Sequence, residues 1–283
     1  MAKTVLGYIL SSTVLGEDEK IFLNLAKEKN IEVVLFNLEK DLGREKLMED
    51  AEKCSVVFNS VAEGFGVELA KTIESFGTKV IEPSKTFYYS EDKWMFYLNA
   101  EKHNIPVPET ILLSENISAA MHELRKFGKW PAVLKRVEGC QGEFVAKAEN
   151  EEQAKEILNS FLEKESEAKP VIAQEFIKSP SYRVLTMGGK IVQCVKKKSN
   201  SWKAIGAWAS RHSRFEPDDS LKKIIKKINA FSGISICGTD LVKKDGEWRV
   251  LEINAVPTFG FIVSDKKRVI GEAIDFLKKT AKK

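Results

Sequence analysis

The feature that most constrains the fold is a regular alternation of apolar and polar segments at the start of the chain. Apolar runs rich in β-branched residues are separated by polar segments whose apolar residues recur at helical spacing; the runs cover residues 4–10, 31–38, 54–60 and 78–83. Strands that alternate with helices form a parallel sheet with helices packed on it, so we predict an α/β domain over residues 1–88. Gly64 and Gly66 follow the third run without completing the GxGxxG pattern of a dinucleotide site.

Composition narrows the class of protein. The chain has 283 residues, of which 43% are hydrophobic and 30% charged, so it can bury a core. The net charge of +4 is too small to favour nucleic-acid binding. The cysteines are far apart, which suits neither a zinc site nor a disulfide framework and indicates a reducing cytoplasm. The apolar run near the N-terminus is too short for a signal peptide and no segment could span a bilayer, so we expect a cytoplasmic protein that does not bind membranes.

Beyond the first domain the pattern changes to antiparallel hairpins and separate helices. A glycine pair in residues 182–198 predicts a hairpin there, and a second hairpin is predicted over 235–257. Ser90 is the predicted N-cap residue of the first helix in this part of the chain. The predicted helices cover residues 90–104, 151–165, 218–231 and 266–279. This α+β arrangement is divided into two predicted subdomains, a central one over 89–170 and a C-terminal one over 171–283.

A lysine within an apolar strand is the first sign of a binding site. The side chains of Val133, Lys135 and Val137 share one strand face, where an ammonium group is costly to bury unless an anion meets it. The loop that follows, residues 138–142, contains two glycines, which allow backbone N–H groups to approach phosphate oxygens. A hairpin whose lysine reaches out to solvent is the alternative explanation.

Three oxygen-bearing side chains in the last hairpin predict a magnesium site. Glu252 and Asn254 share a strand face and Asp240 lies on the partner strand, and such oxygens are the ligands that Mg²⁺ prefers. A strict two-residue turn at 245–246 would put Glu252 on the face opposite to Asp240. We therefore predict a three-residue loop or a β-bulge in this hairpin. Three solvated polar residues on an ordinary hairpin are the alternative.

Glu175 is another charged side chain among apolar neighbours. It shares a face with Ala173 and Ile177 in the strand predicted over 170–177. A carboxylate at this position can accept hydrogen bonds from the amino group of a nucleotide base. An exposed glutamate at a strand edge, without a ligand, is the alternative.

In their order along the chain, these segments resemble the ATP-grasp ligases. Within that superfamily the resemblance is to the RimK-like glutamate ligases and the related lysine-biosynthesis enzyme that acts on a carrier protein. It rests on SEDKW (90–94), VLKRVEGCQG (133–142), AQEFI (173–177), Arg183, GTDLV (238–242) and LEINAVP (251–257). The α/β domain before them matches the usual N-terminal domain of the family.

The resemblance implies an ATP-grasp fold, in which two subdomains with antiparallel sheets clasp ATP, and we expect a homo-oligomer. The nucleotide-binding residues it implies are Lys93, Lys135, Gly139, Gln141, Gly142, Gln174, Glu175, Phe176 and Ile177. By the same resemblance, Arg183 and Lys197 would neutralise the transferred phosphoryl group. Asp240, Glu252 and Asn254 would bind Mg²⁺ or Mn²⁺.

The sequence also departs from the family. Ser181 stands where an acid usually lies two residues before Arg183, and residues 196–198 are lysines in place of an acid and two arginines. Ile205 falls near the position of a family asparagine, and the segment 254–258 reads NAVPT in place of NASPG. These differences concern the residues that would recognise the substrate, while the ATP and magnesium residues match.

The resemblance implies an ATP-dependent carboxylate–amine ligase that forms an amide through an acyl phosphate. The amine would come from an amino acid, glutamate by analogy, and the acceptor would be a peptide, a carrier-protein tail or a cofactor. A phosphotransferase that uses the same nucleotide site is one alternative. A nucleotide-binding module without turnover is the other, and it is motivated by Ser181 and the missing asparagine.

The segment 201–214 is the predicted acceptor pocket. Trp202 and Trp208 would share a strand face, beside the cationic side chains of Lys203, Arg211, His212 and Arg214. These cations would meet an acceptor carboxylate through charge-assisted hydrogen bonds. Tryptophans that belong to the core are the alternative.

Overall fold

A computed structural model describes residues 4–62, 64–139, 144–163, 169–199, 201–202 and 211–282. These residues form a parallel sheet and two antiparallel sheets, with helices packed on each. Within these ranges, no helix is both long and apolar enough to cross a membrane.

The N-terminal domain is a parallel sheet with flanking helices, which confirms the prediction from the alternating pattern. Its strands are β1 (Val5–Leu10), β2 (Glu32–Asn37), β3 (Val56–Asn59) and β4 (Val80–Ile81). Its helices are α1 (Glu17–Glu28), α2 (Arg44–Lys53) and α3 (Gly64–Ser75). The strand order is β2-β1-β3-β4 and the pairings are parallel.

Two helices, α4 (Phe87–Glu91) and α5 (Lys93–Lys102), connect this domain to the rest of the chain. The prediction that Ser90 is an N-cap residue is wrong, because Ser90 lies inside α4. Asp92 caps α5 instead, and its side chain accepts a hydrogen bond from the Met95 N–H at 2.8 Å. The extended backbone of Asp92 separates the two helices, so α5 begins at Lys93.

The central subdomain is an antiparallel sheet covered by two helices. Its strands are β5 (Thr110–Leu112), β6 (Ala132–Arg136), β7 (Val145–Ala148) and β8 (Val171–Glu175), in the order β5-β8-β6-β7. Helices α6 (Ile117–Phe127) and α7 (Glu151–Glu163) share a core with one face of this sheet. Because β8 pairs with β5 and β6, the sheet extends to Glu175, beyond the boundary that we placed after residue 170.

The C-terminal subdomain is a second antiparallel sheet. Its strands are β9 (Ser181–Met187), β10 (Lys190–Lys198), β11 (Arg211–Arg214), β12 (Ile236–Lys244) and β13 (Glu247–Asn254), in the order β11-β10-β9-β12-β13. Helix α8 (Asp219–Ser232) packs on one face of the sheet, together with α5. Helix α9 (Lys266–Thr280) follows the last strand.

The register of the last hairpin decides which side chains face the cleft. Asp245 and Gly246 both have positive φ, and Lys244 pairs directly with Glu247, so the turn has two residues and the predicted three-residue alternative is wrong. The register then shifts at a β-bulge, where Leu251 is the extra residue. Asp240 therefore lies opposite Glu252, which confirms the predicted bulge and the shared face.

The N-terminal domain and the C-terminal subdomain share one hydrophobic core. Phe22 of α1 and Phe58 of β3 belong to the same buried cluster as Leu185 of β9 and Ile274 of α9. The rings of Phe58 and Phe259 stack at 6.4 Å, which holds the loop after β13 against the N-terminal sheet. The segment that leaves the predicted metal-binding strand is thereby fixed by the first domain.

Candidate active site

A narrow pocket lies where the two antiparallel sheets approach each other. It is lined by residues of α5 and its neighbourhood, of the central sheet and of β13: Lys93, Phe96, Tyr97, Val107, Lys135, Ile172, Gln174, Val250 and Leu251. Lys93, Lys135 and Gln174 were predicted to bind the nucleotide. The structure therefore brings three predicted residues from separate parts of the sequence into one cavity.

Lys135 is buried, with only 8% of its surface exposed. Its ammonium group donates to Gln174 Oε1 at 2.7 Å, and Gln174 Nε2 donates to Thr110 Oγ1 at 3.0 Å. Burial lowers the pKa of Lys135 to about 8, although the carboxylates of Glu252 and Asp240 act in the opposite direction. A lysine that reaches out to solvent is thus excluded, and a buried ammonium without a carboxylate partner is well suited to an anionic ligand.

Lys93 tethers the end of β6 at the start of the glycine loop. Its backbone N–H donates to the Val137 carbonyl at 3.1 Å, and its ammonium group donates to the Gly139 carbonyl at 2.7 Å. Gly139 has a φ of 126°, a conformation that side-chain-bearing residues resist. Gln141 and Gly142 lie outside the described residues.

The predicted adenosine-binding segment has its side chains on two faces of β8. Gln174 faces Lys135, whereas Glu175 is on the opposite side of the strand, with Ala173. The Glu175 carboxylate accepts from the Lys244 ammonium at 2.6 Å and from the Glu109 N–H at 3.1 Å. It is thus neither an unpaired acid nor a freely exposed one, and it ties the central sheet to β12.

Phe176 and Ile177 continue the chain beyond the end of β8, and both are half-buried. The Phe176 ring lies 4.8 Å from the ammonium group of Lys147 and meets the ring of Trp202 edge-on, with centroids 6.2 Å apart. Phe176 is one of the residues for which the resemblance implies a contact with adenosine.

The three predicted metal ligands lie on one face of the C-terminal sheet. Asp240 is opposite Glu252 in register, and Asn254 follows two residues further along the same strand. Within the described ranges, no three His, Cys, Asp or Glu side chains are clustered so as to hold a metal by themselves. The donor set is two carboxylates and one amide, which fits Mg²⁺ because this ion completes its coordination with water and phosphate oxygens.

Arg183 and Lys197 converge on Asp240. Arg183 donates from Nε and Nη2 to the two Asp240 oxygens at 2.8 and 2.6 Å, and Lys197 Nζ donates to Oδ1 at 2.8 Å. Burial would raise the pKa of Asp240, but the two cations beside it lower the value to about 2. We call these three residues the Asp240 cluster. It carries one net positive charge, which would attract an anionic group.

Phe261 covers the Asp240 cluster, and our sequence reasoning missed it. Its ring centroid lies 5.3 Å from Arg183 Cζ and 5.3 Å from Lys197 Nζ, within the range of cation–π attraction. Gly238, opposite Asn254, makes this arrangement possible, because a Cβ at that position would collide with Arg183 and lie 2.8 Å from Pro257 Cβ. No sequence signal identifies Phe261, since its place depends on the path of the loop after β13.

The predicted acceptor pocket is described only in part. Residues 203–210, which include Lys203, Ile205 and Trp208, lie outside the described residues. Trp202 is 36% exposed, so it is not a core residue. Arg214 forms an ion pair with Asp265 at 2.6 Å, which occupies the guanidinium that we expected to meet an acceptor.

The family model that describes the RimK-like ATP-grasp domain matches residues 90–277. This is about two thirds of the chain, and it contains all the site residues named above. The chain belongs to the RimK-like ATP-grasp family. This confirms the family that the order of the sequence motifs indicated.

Curated relatives of this RimK-like chain are ligases. One is a probable alpha-L-glutamate ligase of Psychromonas ingrahamii, 28% identical over 77% of this chain and 73% of the relative. Another is the alpha-aminoadipate–LysW ligase LysX of Sulfolobus acidocaldarius, 26% identical over 86% of this chain and 90% of the relative. The chain is therefore an ATP-dependent ligase that forms carbon–nitrogen bonds. A nucleotide-binding module without turnover, one of the alternatives from the sequence, is not supported.

Solved structures confirm the ATP-grasp fold. A RimK domain protein of Sphaerobacter thermophilus aligns with a TM-score of 0.76 at 19% identity, over 97% of this chain and 99% of that one. The D-alanine–D-alanine ligase of Bacillus anthracis, in complex with ATP, aligns with a TM-score of 0.73 at 17% identity, over 98% of this chain and 97% of that one. The predicted pair of antiparallel sheets after an α/β domain is thus correct.

Proposed function

We propose that this RimK-like ligase uses ATP and Mg²⁺ to attach an amino acid, with glutamate as the first choice, to a carboxyl group of a larger acceptor. The acceptor would be a peptide, the tail of a carrier protein or a cofactor. The names of the relatives support this choice, since they specify glutamate ligases and ligases that act on LysW.

The proposal rests on the opposite charges of the side chains on the two sides of the cleft. Lys135 projects from the central sheet, and the carboxylates of Glu252 and Asp240 on the C-terminal sheet lie near enough to influence its pKa. Nucleotide phosphates between the two sheets would meet the lysine on one side. On the other side, Asp240, Glu252 and Asn254 would hold Mg²⁺, which supplies positive charge to the phosphate oxygens.

The chemistry has two steps, and the residues of the chain act mainly by position and charge. In the first, a carboxylate oxygen of the acceptor attacks the γ-phosphorus of ATP, the bond to ADP breaks, and an acyl phosphate forms. In the second, the amine nitrogen attacks the acyl carbon, phosphate leaves with the bonding electrons, and the amide remains after loss of a proton. Arg183 and Lys197 would neutralise charge on the transferred group in both steps.

The cationic lining of the site also bears on the amino-acid substrate. Lys197 occupies a strand position where the family usually has arginine, and Ser181 lies opposite it in register. An ammonium group binds a carboxylate or phosphate as a point charge, without the bidentate geometry of a guanidinium. We therefore propose an acidic substrate. The orientation of its acidic group would be less restricted than in relatives that have arginine at this strand position.

A substrate screen by mass spectrometry tests the proposal. The protein is incubated with ATP, Mg²⁺, each amino acid and a fraction of cell extract, and products are identified by mass. The expected result is ADP together with an acceptor whose mass has grown by one amino-acid residue. ADP together with a phosphorylated hydroxyl compound, without an amide, would instead overturn the proposed attachment of an amino acid to a carboxyl group.

A further inference from the structure

His212 lies on β11, beside the Asp240 cluster. It pairs with Lys197 in the antiparallel register of β10 and β11, so the two residues share a face of the C-terminal sheet. Its Nε2 atom is buried and has no hydrogen-bond partner among the residues that the structure describes. A buried ring nitrogen without a hydrogen-bond partner destabilises the folded protein. A bound ligand that forms this hydrogen bond would remove the cost.

The His212 ring lies close to the Asp240 cluster. The His212 ring lies 5.5 Å from the ring of Phe261, the same ring that covers Arg183 and Lys197. Burial and the neighbouring Lys197 both lower the pKa of His212, which favours the neutral imidazole. A neutral imidazole has one unprotonated nitrogen, which is able to accept a proton.

The second step of the proposed reaction needs such an acceptor. When the amine attacks the acyl carbon, its nitrogen becomes positively charged and must lose a proton before the amide is complete. On this sheet face, Arg183 and Lys197 are cations, and both oxygens of Asp240 already accept hydrogen bonds from them. Glu252 is assigned to the metal. Among the described side chains of this face, His212 remains.

We propose that His212 Nε2 is the base that accepts the proton of the attacking amine, a role that rests on the proposed ligase function. The carbon–nitrogen bond forms, the carbon–oxygen bond to phosphate breaks with its electrons on phosphate, and one N–H proton passes to His212. The imidazolium then releases that proton to solvent. The first step, which forms the acyl phosphate, does not need this residue.

The choice of nucleophile separates the two steps experimentally. The carboxylate substrate is N-acetyl-L-glutamate, which offers carboxyl groups and has no free amine. The nucleophile is either L-glutamate or hydroxylamine, which is unprotonated at neutral pH and traps acyl phosphates without a base. His212→Ala should lower the rate of amide formation by about 100-fold, in the usual range for a lost general base. Hydroxamate formation should stay within about threefold of the wild-type rate, and added imidazole should restore part of the amide rate.

Ser213→Ala is the matched control, because Ser213 is on the same strand but faces the other side. It should leave both rates unchanged. Equal loss of amide and hydroxamate in His212→Ala, with normal ATP binding, would mean that His212 is structural. Unchanged amide formation would also overturn its role as base. If the wild-type protein forms neither product, the proposed transfer of glutamate to a carboxyl acceptor fails, and the assignment of His212 as base fails with it.

Discussion

Replacement of Lys135 by methionine tests whether the cleft is built around an anion. Methionine has a similar length and no charge, so the strand can keep its packing. In the nucleotide-free protein the ammonium group is buried and, among the described residues, donates a hydrogen bond to Gln174. We expect Lys135→Met to stabilise the free protein slightly and to weaken ATP binding strongly.

The size of the stability change follows from the pKa of Lys135. The difference between the folded pKa of about 8 and the ordinary pKa of 10.5 corresponds to about 3 kcal/mol of unfavourable ionisation at neutral pH. The variant removes this cost but leaves Gln174 Oε1 without its donor, a loss of about 1–2 kcal/mol. The net gain in the free energy of unfolding should be about 1–2 kcal/mol at pH 7.

The stability gain of Lys135→Met should depend on pH in a characteristic way. Between about pH 8 and the unfolded value of 10.5, the unfolded chain binds more protons at Lys135 than the folded protein, so wild-type stability from this group rises with pH. The cost is fully present below pH 8 and is gone above the unfolded pKa. The advantage of Lys135→Met should therefore shrink as pH rises from about 8 to 10. Urea unfolding at pH 7 and pH 9.5 measures this difference.

ATP binding should respond in the opposite direction. A charge-assisted hydrogen bond to phosphate contributes about 2 kcal/mol, so the Kd for a non-hydrolysable ATP analogue should rise about 30-fold by calorimetry. Lys190→Met, at the exposed end of the β9–β10 hairpin, is the matched control and should change neither quantity. The reasoning is refuted if Lys135→Met binds the analogue normally, or if it loses stability by the same amount at both pH values.

Three further predictions concern the C-terminal sheet. Glu252→Ala should lower ADP production at least about 100-fold at ordinary Mg²⁺ with an unchanged circular dichroism spectrum, and normal turnover would remove Glu252 from the metal site. Gly238→Ala should displace the Arg183 side chain and destabilise the protein by about 1–3 kcal/mol. It should also reduce kcat more than ATP affinity. Unchanged kcat and stability would show that the added methyl group does not collide with Arg183. Arg214→Ala leaves the Asp265 carboxylate without its closest cation, so it should lower the urea concentration at the unfolding midpoint. ATP affinity should stay the same. A loss of ATP affinity would show that Arg214 contributes to the nucleotide site.

The sequence determined much of the fold through local periodicity. Alternation over residues 131–137 put Lys135 on one face of a strand, and the structure buries that face. Because Asp240 and Glu252 had to share a face, we predicted a three-residue loop or a β-bulge in the last hairpin. The structure has the bulge, at Leu251. These properties depend on a repeat of two residues along one strand, which the sequence displays directly.

The tertiary structure decided which side chains meet across strands and loops. Glu175 was expected to be free for a nucleotide, but Lys244 of another subdomain pairs with it. Phe261 lies over Arg183 because the loop after β13 is held by the N-terminal domain. Periodicity tells which residues share a face of a strand but not which strand lies beside it. Those neighbours come from contacts between residues far apart in the chain, and only the packed fold specifies them.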